Sequence, residues 1–326
     1  MERNERPDGD GPGSAGGEGP VPLISVVMAV YNRECYVAQA VESILAQTLP
    51  DFEFLITDDG STDRSLAILR DYVARDGRIR LWSGPNQGKS KSRNELLDRA
   101  RGEFIAVMDS DDVALPHRFE RQVAFLREHP EVVCVGGSIL EIDESGRELV
   151  VTANPPEDEI IQEFMLKGHN KITHPTMMMC REAAMAVGGY REDMLHCEDL
   201  DLCLRLGERG RLANLEEVLL RYRIHAGSET ERYHEEQNHF GKIASDNACE
   251  RRGIARRFEP MPRYRKGIGR DQEHVYSVRY GWWCFLRGNR AGATHYALRS
   301  IRWMPLRRDG WHLLACSLLK PVGKGT

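Results

Sequence analysis

Between residues 23 and 112 the chain repeats one pattern: a short apolar run, a polar cluster, then a segment with helical spacing. The first run, Leu23-Ile24-Ser25-Val26-Val27-Met28-Ala29-Val30, is nearly continuously apolar, as a strand covered on both faces must be. It ends at Tyr31-Asn32-Arg33. Val37, Val41, Ile44 and Leu45 then recur without Gly or Pro before Pro50, which predicts a helix over about 34–47. Residues 52–57 predict a second strand, closed by Asp58-Asp59-Gly60. Ser61-Thr62-Asp63 supplies a helix start, with Leu66, Leu69, Tyr72 and Val73 as its buried face. Residues 79–82 read as a third strand, and a loop over 84–90 leads into a helix reaching about Ala100. Residues 104–108 form a fourth strand that runs into Asp109-Ser110-Asp111-Asp112. This alternation predicts an α/β fold built on a parallel sheet with helices on both faces, in which ligands bind beyond the carboxyl ends of the strands. The polar clusters all fall at those ends, so they are expected to converge on one edge.

The rest of the chain bounds this domain. With 326 residues there is room for one α/β domain of about 200 to 230 residues and an appendage. Residues 1–21, rich in Gly, Pro, Asp and Glu, cannot offset their ordering entropy by burial and are expected to be a disordered tail. A strand near 132–140, a hairpin through Asp143-Glu144-Ser145-Gly146 and a polar stretch over 154–158 are expected to build the acceptor side. The main domain is expected to span 22–228, and 229–326 to be a helical, basic C-terminal region. Residues 251–326 carry 17 Lys and Arg against 4 Asp and Glu, within a chain of formal net charge −5. That overall charge argues against nucleic acid as the main partner. No apolar run approaches the ~20 residues needed to cross a bilayer. The basic, Trp-containing tail suits either an anionic membrane surface or a helical packing unit. The eight cysteines include no CxxC pair and the N-terminus lacks a secretory layout, so a cytoplasmic protein with reduced thiols is expected, free or peripheral on the inner face of the cell membrane.

Asp109-Ser110-Asp111 carries the chemistry. Two carboxylates two positions apart, just past a buried strand, can both face a cleft, where they repel unless a hard cation joins them. Mn²⁺ or Mg²⁺, completed by water and diphosphate oxygens, resolves that repulsion and neutralises a departing nucleoside diphosphate; the alternative is an acidic turn or helix cap. A GxxxxGK[ST] phosphate loop is missing, as is a GxGxxG turn after the first strand, which removes ATPase and dehydrogenase readings.

The runs Ser25-Val26-Val27-Met28-Ala29-Val30-Tyr31-Asn32, Asp58-Asp59-Gly60-Ser61-Thr62-Asp63, Asn86-Gln87-Gly88 with Arg93-Asn94, and Met108-Asp109-Ser110-Asp111-Asp112 stand in the order seen in family 2 glycosyltransferases. The chain resembles that family over roughly 22–228. The resemblance implies a GT-A fold, mostly parallel sheet flanked by helices, here with a C-terminal helical appendage. It implies that Ala29 and Tyr31 line the nucleoside pocket, that Asp59 binds the base while Asp58 supports the turn, and that Arg93 reaches the nucleotide or its diphosphate. Asp109 and Ser110 would contact the nucleotide sugar, a UDP-sugar first among candidates. Asp109, Asp111 and, from Tyr222-Arg223-Ile224-His225-Ala226-Gly227-Ser228, His225 would hold the metal. His196-Cys197-Glu198-Asp199-Leu200-Asp201 resembles the family's Glu-Asp segment, making Asp199 the expected catalytic base with Glu198 beside it among the catalytic candidates; the other reading is an acidic cluster complementing a helix dipole. His174-Pro175-Thr176 and Gly188-Gly189-Tyr190 resemble segments near the acceptor. The implied activity is inverting, metal-dependent transfer of a sugar to a hydroxyl of a glycan or lipid-linked acceptor in surface polysaccharide or glycolipid synthesis. A nucleotidyltransferase and a catalytically silent scaffold are the rival readings.

Overall fold

The computed structural model describes residues 20–224, 233–261 and 269–320; most of the N-terminal tail expected to be disordered lies outside them. The repeating pattern folds as read. Strands β1 (Ile24–Val30), β2 (Phe52–Asp58), β3 (Ile79–Ser83) and β4 (Phe104–Val107) are mutually parallel in the order β3-β2-β1-β4. Helices α1 (Val37–Leu45), α2 (Ser65–Val73) and α3 (Lys89–Arg99) connect them. Both faces of these strands are covered. Val27, Leu55, Ile105 and Val107 enter one core cluster and Val26, Met28, Phe54, Ile56 and Ala106 the other, because successive side chains point to opposite faces.

Helix α2 begins after its start signal, Ser61-Thr62-Asp63, because those residues are used between loops. Asn32 donates its backbone N–H to Ser61 Oγ (3.0 Å) and accepts at Oδ1 from Thr62 N (2.8 Å). Asp63 accepts from Glu34 N (3.0 Å) and from Ser65 N (2.9 Å). The loops after β1 and β2 are thereby tied side by side.

Beyond β4 the sheet becomes mixed. Further elements are β5 (Val113–Ala114), α4 (Arg118–Glu128), β6 (Val132–Ile142), β7 (Glu148–Thr152), α5 (Asp158–Leu166), a 3-10 turn at His174–Thr176, β8 (Met178–Cys180), α6 (Arg181–Ala186), α7 (Glu198–Leu206) and β9 (Arg211–Arg223). The order is β3-β2-β1-β4-β8-β6-β9-β5, with β7 hairpinned onto β6. β8 runs antiparallel to both β4 and β6, whereas β9 runs parallel to β6. The antiparallel β8 has a consequence for the site: the chain entering it, His174–Thr176, lies at the carboxyl end of β4, with Val107 N bonded to Met177 O (2.9 Å). Buried Arg118 reinforces that junction by donating to Val107 O (2.8 Å) and Met177 O (3.2 Å).

Among the described residues four helices follow. α8 (His234–Arg251) lies within the stretch assigned by sequence to the appendage, and adds Ala244, Ala248 and Cys249 to the core that also holds Leu200 and Leu204 of α7. α9 (Arg270–Leu286), α10 (Arg290–Trp303) and α11 (Arg308–Leu319) pack on one another and against the hairpin, where Leu149 joins Cys284, Ala293 and Tyr296. Among the described residues no helix is long and apolar enough to cross a membrane.

Candidate active site

A cavity of about 640 Å³ opens at the carboxyl ends of β1, β2 and β4, and the polar clusters meet there. From the first half of the chain it is lined by Ala29, Tyr31, Asp59, Arg93, Asp109, Ser110 and Asp111; from the second by Asn170, His174, Glu198 and Asp199. All of the expected site residues within the described structure are therefore brought together. His225 lies outside the described residues.

At the nucleoside end, Tyr31 is exposed and Ala29 half-buried at the tip of β1. Asp59 also lines the cavity, but its carboxylate organises the loop opposite: Oδ1 accepts from Gln87 N (2.9 Å) and Ser92 Oγ (2.9 Å), and Oδ2 from Gly88 N (3.1 Å). Asp58 accepts at Oδ2 from Ser61 N (3.3 Å) and Ser83 Oγ (3.1 Å), so it does support the turn. Gly60, at φ +75°, makes that turn fit; a Cβ there would stand 2.6 Å from Asn86 N.

The centre is a charge network. Arg93 is buried and spans two acids, donating from Nη2 to Asp109 Oδ1 (2.8 Å) and from Nη1 to Glu198 Oε1 (2.9 Å). Lys89 Nζ stands 2.8 Å from the same Glu198 oxygen. His174 joins from the turn before β8, with Nδ1 3.6 Å from Asp109 Oδ1 and Nε2 3.0 Å from the Tyr190 hydroxyl. Burial alone would raise the Asp109 carboxyl, but the facing His174 ring and the Arg93 charge outweigh it and hold Asp109 well below the usual carboxylate range. For Glu198 burial likewise opposes ionisation, and Lys89 and Arg93 together hold it below the ordinary glutamate value.

Asp111 pairs with Arg33 Nε (3.1 Å). Asp112 turns inward: its Oδ1 accepts from Arg223 N (2.8 Å). Burial and the neighbouring charges of Asp111 and Asp109 push its carboxyl well above the usual range. Arg223 is the joint behind this loop. Its Nε donates to Asp111 O (2.7 Å), Nη2 to Gln39 Oε1 (2.8 Å), and Nη1 to the carbonyls of Asp143 (3.3 Å) and Glu144 (3.2 Å).

Among the described residues no three His, Cys, Asp or Glu side chains cluster as a ready-made metal cage. Mg²⁺-like sites rarely need one, since such ions keep several waters and add substrate phosphates to one or two carboxylates. Asp109 and Asp111 supply hard oxygen donors on one wall, and their side chains remain 28% and 19% open to solvent. The donor set fits a hard divalent cation.

Glu198 and Asp199, which also line the cavity, open α7. Glu198 is buried and ion-paired; Asp199 is half-buried, with Oδ2 accepting from Asn170 Nδ2 (3.0 Å) and Oδ1 from Leu200 N (2.8 Å). Lys89, His174, Asn170, Arg33 and Arg223 were not assigned roles from the sequence. Three had a signal: Arg33, His174 and Arg223 stand inside motifs already singled out. For Lys89 and Asn170 no sequence pattern distinguishes a site residue from a solvated loop residue.

The fold is the GT-A fold of glycosyltransferases. Among solved structures, the mannosyltransferase PcManGT of Pyrobaculum calidifontis, in complex with GDP-Man and Mn²⁺, aligns with 93% of this chain and 76% of its own at TM-score 0.56 and 14% identity. S. aureus TarS 1-349 in complex with UDP-GlcNAc aligns with 90% of this chain and 90% of its own at TM-score 0.54 and 16% identity. At such identities the likeness speaks for the fold. The family follows from sequence: residues 25–188 match Glycosyl transferase family 2, and the chain belongs to that family. Its relatives include EpsE of Bacillus subtilis, 39% identical over 208 residues, 62% of this chain and 73% of EpsE. Others are the O-antigen biosynthesis glycosyltransferase WbnJ of Escherichia coli, 34% identical over 217 residues (62% and 80%), and the amylovoran biosynthesis glycosyltransferase AmsE of Erwinia amylovora, 32% identical over 211 residues (64% and 77%).

Proposed function

We propose that this glycosyltransferase moves a sugar from a nucleoside diphosphate, a UDP-sugar first among candidates, to a hydroxyl of a glycan or lipid-linked acceptor, with inversion, in the assembly of a surface polysaccharide or glycolipid. The observation that carries the reading is one cavity lined by Tyr31, Asp59, Arg93, Asp109 and Asp111 together with Asp199. The O-antigen and amylovoran biosynthesis roles in the names of WbnJ and AmsE support the polysaccharide context, and the GDP-Man and UDP-GlcNAc complexes of the structural neighbours support the donor class.

Tyr31 offers a stacking face to the base. Arg93 and Lys89 supply positive charge where the diphosphate departs, and Glu198, by pairing with both, keeps them aimed there. A divalent cation on Asp109 and Asp111 would add Lewis-acid charge to the leaving diphosphate. Asp199, oriented by Asn170 and Leu200 N, takes the proton of the attacking hydroxyl. Attack opposite the leaving group in one displacement inverts the anomeric centre.

The test incubates purified protein with Mn²⁺ and a panel of UDP-, GDP- and dTDP-sugars, following release of nucleoside diphosphate with and without chelator. One donor class is expected to turn over, and chelator or Asp111→Ala to abolish that turnover. Asp199→Asn is expected to keep donor binding while lowering kcat by about 10²- to 10⁴-fold. Turnover that survives chelation removes the cation, and an unchanged kcat in Asp199→Asn removes the base. Absence of donor binding by calorimetry would favour the scaffold reading.

A further inference from the structure

The C-terminal helices carry an apolar surface that stands exposed among the described residues. On α11 the residues Gly310, Leu313, Cys316 and Ser317 are buried, facing the helices beneath. The opposite face presents Trp311, Ala315, Leu318 and Leu319 at helical spacing, all exposed. Trp311 is 53% exposed, Leu318 59%, Leu319 81%, and Leu306, just ahead of the helix, 97%. A helix apolar on both sides is normally buried on both, and contiguous exposed apolar surface marks an interaction site.

Charge identifies the occupant. Arg302, Arg307, Arg308 and Lys320, all exposed, flank the stripe, within a stretch of 17 Lys and Arg against 4 Asp and Glu. Symmetric pairing of two copies through this face would bring the basic flank of one copy against that of the other. A bilayer surface with anionic headgroups accepts both features, since basic side chains meet phosphates while Trp and Leu enter the acyl boundary. We propose that α11, with Leu306 and Trp311 leading, is a docking face for an anionic lipid bilayer and lies in its interface. This goes beyond the transferase reading and does not depend on it.

Flotation of the full chain with phosphatidylcholine vesicles, with and without phosphatidylglycerol, tests it. The protein is expected to float with the anionic vesicles only, and less so as salt is raised. Leu318→Glu and Leu306→Glu should each abolish flotation without changing the unfolding midpoint or donor turnover, while Ile160→Glu, on an exposed site of α5, should change nothing. Arg307→Gln or Arg308→Gln should each weaken partitioning about fivefold. A blue shift of Trp emission on mixing should disappear in Trp311→Phe. Failure to float, equal flotation with neutral vesicles, or unchanged flotation of both Glu variants would overturn the proposal. So would a dimer in sedimentation that Leu318→Glu converts to monomer, because the face would then belong to a second copy.

Discussion

Three aspartates in four positions, Asp109, Asp111 and Asp112, cannot all keep full charge in one loop at a cavity wall, and each meets the conflict differently. Asp109 stays ionised because Arg93 and His174 face it. Asp111 has Arg33. Asp112, buried between its neighbours' charges, gives way and holds its proton to higher pH. Reading the triplet as two carboxylates facing a cleft matched Asp109 and Asp111; the spacing carried no hint that Asp112 would point inward to Arg223. Glu198 shows how much rests on one acid, since two cations share it. Replacing it with Gln removes one of the two carboxylates that Arg93 spans and leaves Asp109 as the other. We expect Glu198→Gln to lower stability by about 1.5 to 3 kcal/mol, the worth of a hydrogen bond to a charged group, measured as a lower urea midpoint at unchanged slope. A loss within experimental error would mean that Lys89 and Arg93 do not rely on it.

At the scale of elements, the site is a set of loops that hold one another rather than side chains on separate strands. The loops after β1 and β2 are cross-linked through Asn32, Ser61 and Asp63, and the loop after β3 hangs from Asp59. Gly60 permits this closeness. Alanine there meets both a φ of +75° and the backbone nitrogen of Asn86 at 2.6 Å, and neither can yield without moving the 86–88 loop. Gly60→Ala is expected to cost about 1 to 3 kcal/mol and to weaken binding of UDP or GDP measured by calorimetry. Full stability with full affinity would contradict the placement of that loop. Helix starts illustrate the same point from the sequence side: Ser61-Thr62-Asp63 reads as a helix start, yet α2 begins at Ser65 with Arg64 ahead of it, and Ser61 and Asp63 serve the neighbouring loop instead.

At the scale of the whole molecule, the C-terminal helices connect to the acidic loop through one turn. The Tyr296 hydroxyl of α10 donates to Asp143 Oδ2, Ser145 and Arg147 bond the same carboxylate, and Arg223 links the carbonyls of Asp143 and Glu144 to that of Asp111. Tyr296→Phe should cost about 1 to 2 kcal/mol. Burial opposes ionisation of Asp143, but the Tyr296, Ser145 and Arg147 hydrogen bonds prevail and lower its pKa in the fold. A lowered folded pKa means stability that is complete above the unfolded value and is lost as pH falls through the folded one, so the contribution is whole at about pH 5 and declines from about pH 4 downward. Asp143→Asn lacks this dependence. The gap in melting temperature between the two proteins should therefore narrow with acidification below pH 4; a constant gap would rule out the carboxylate as its source.

The sequence by itself determined the parallel half of the sheet, the edge at which its polar clusters meet, and the family. Each of these is set by local order: continuous apolar runs bury both faces of a strand, and the polar residues that end the runs must then leave together at one side. Only the tertiary structure decided the mixed half of the sheet, the inward turn of Asp112, the span of Arg93 from Asp109 to Glu198, and the joint at Arg223. Those depend on partners 16 to 112 positions apart, and charges that distant in sequence acquire their neighbours only when antiparallel β8 and the return of β9 bring them to the carboxyl end of β4.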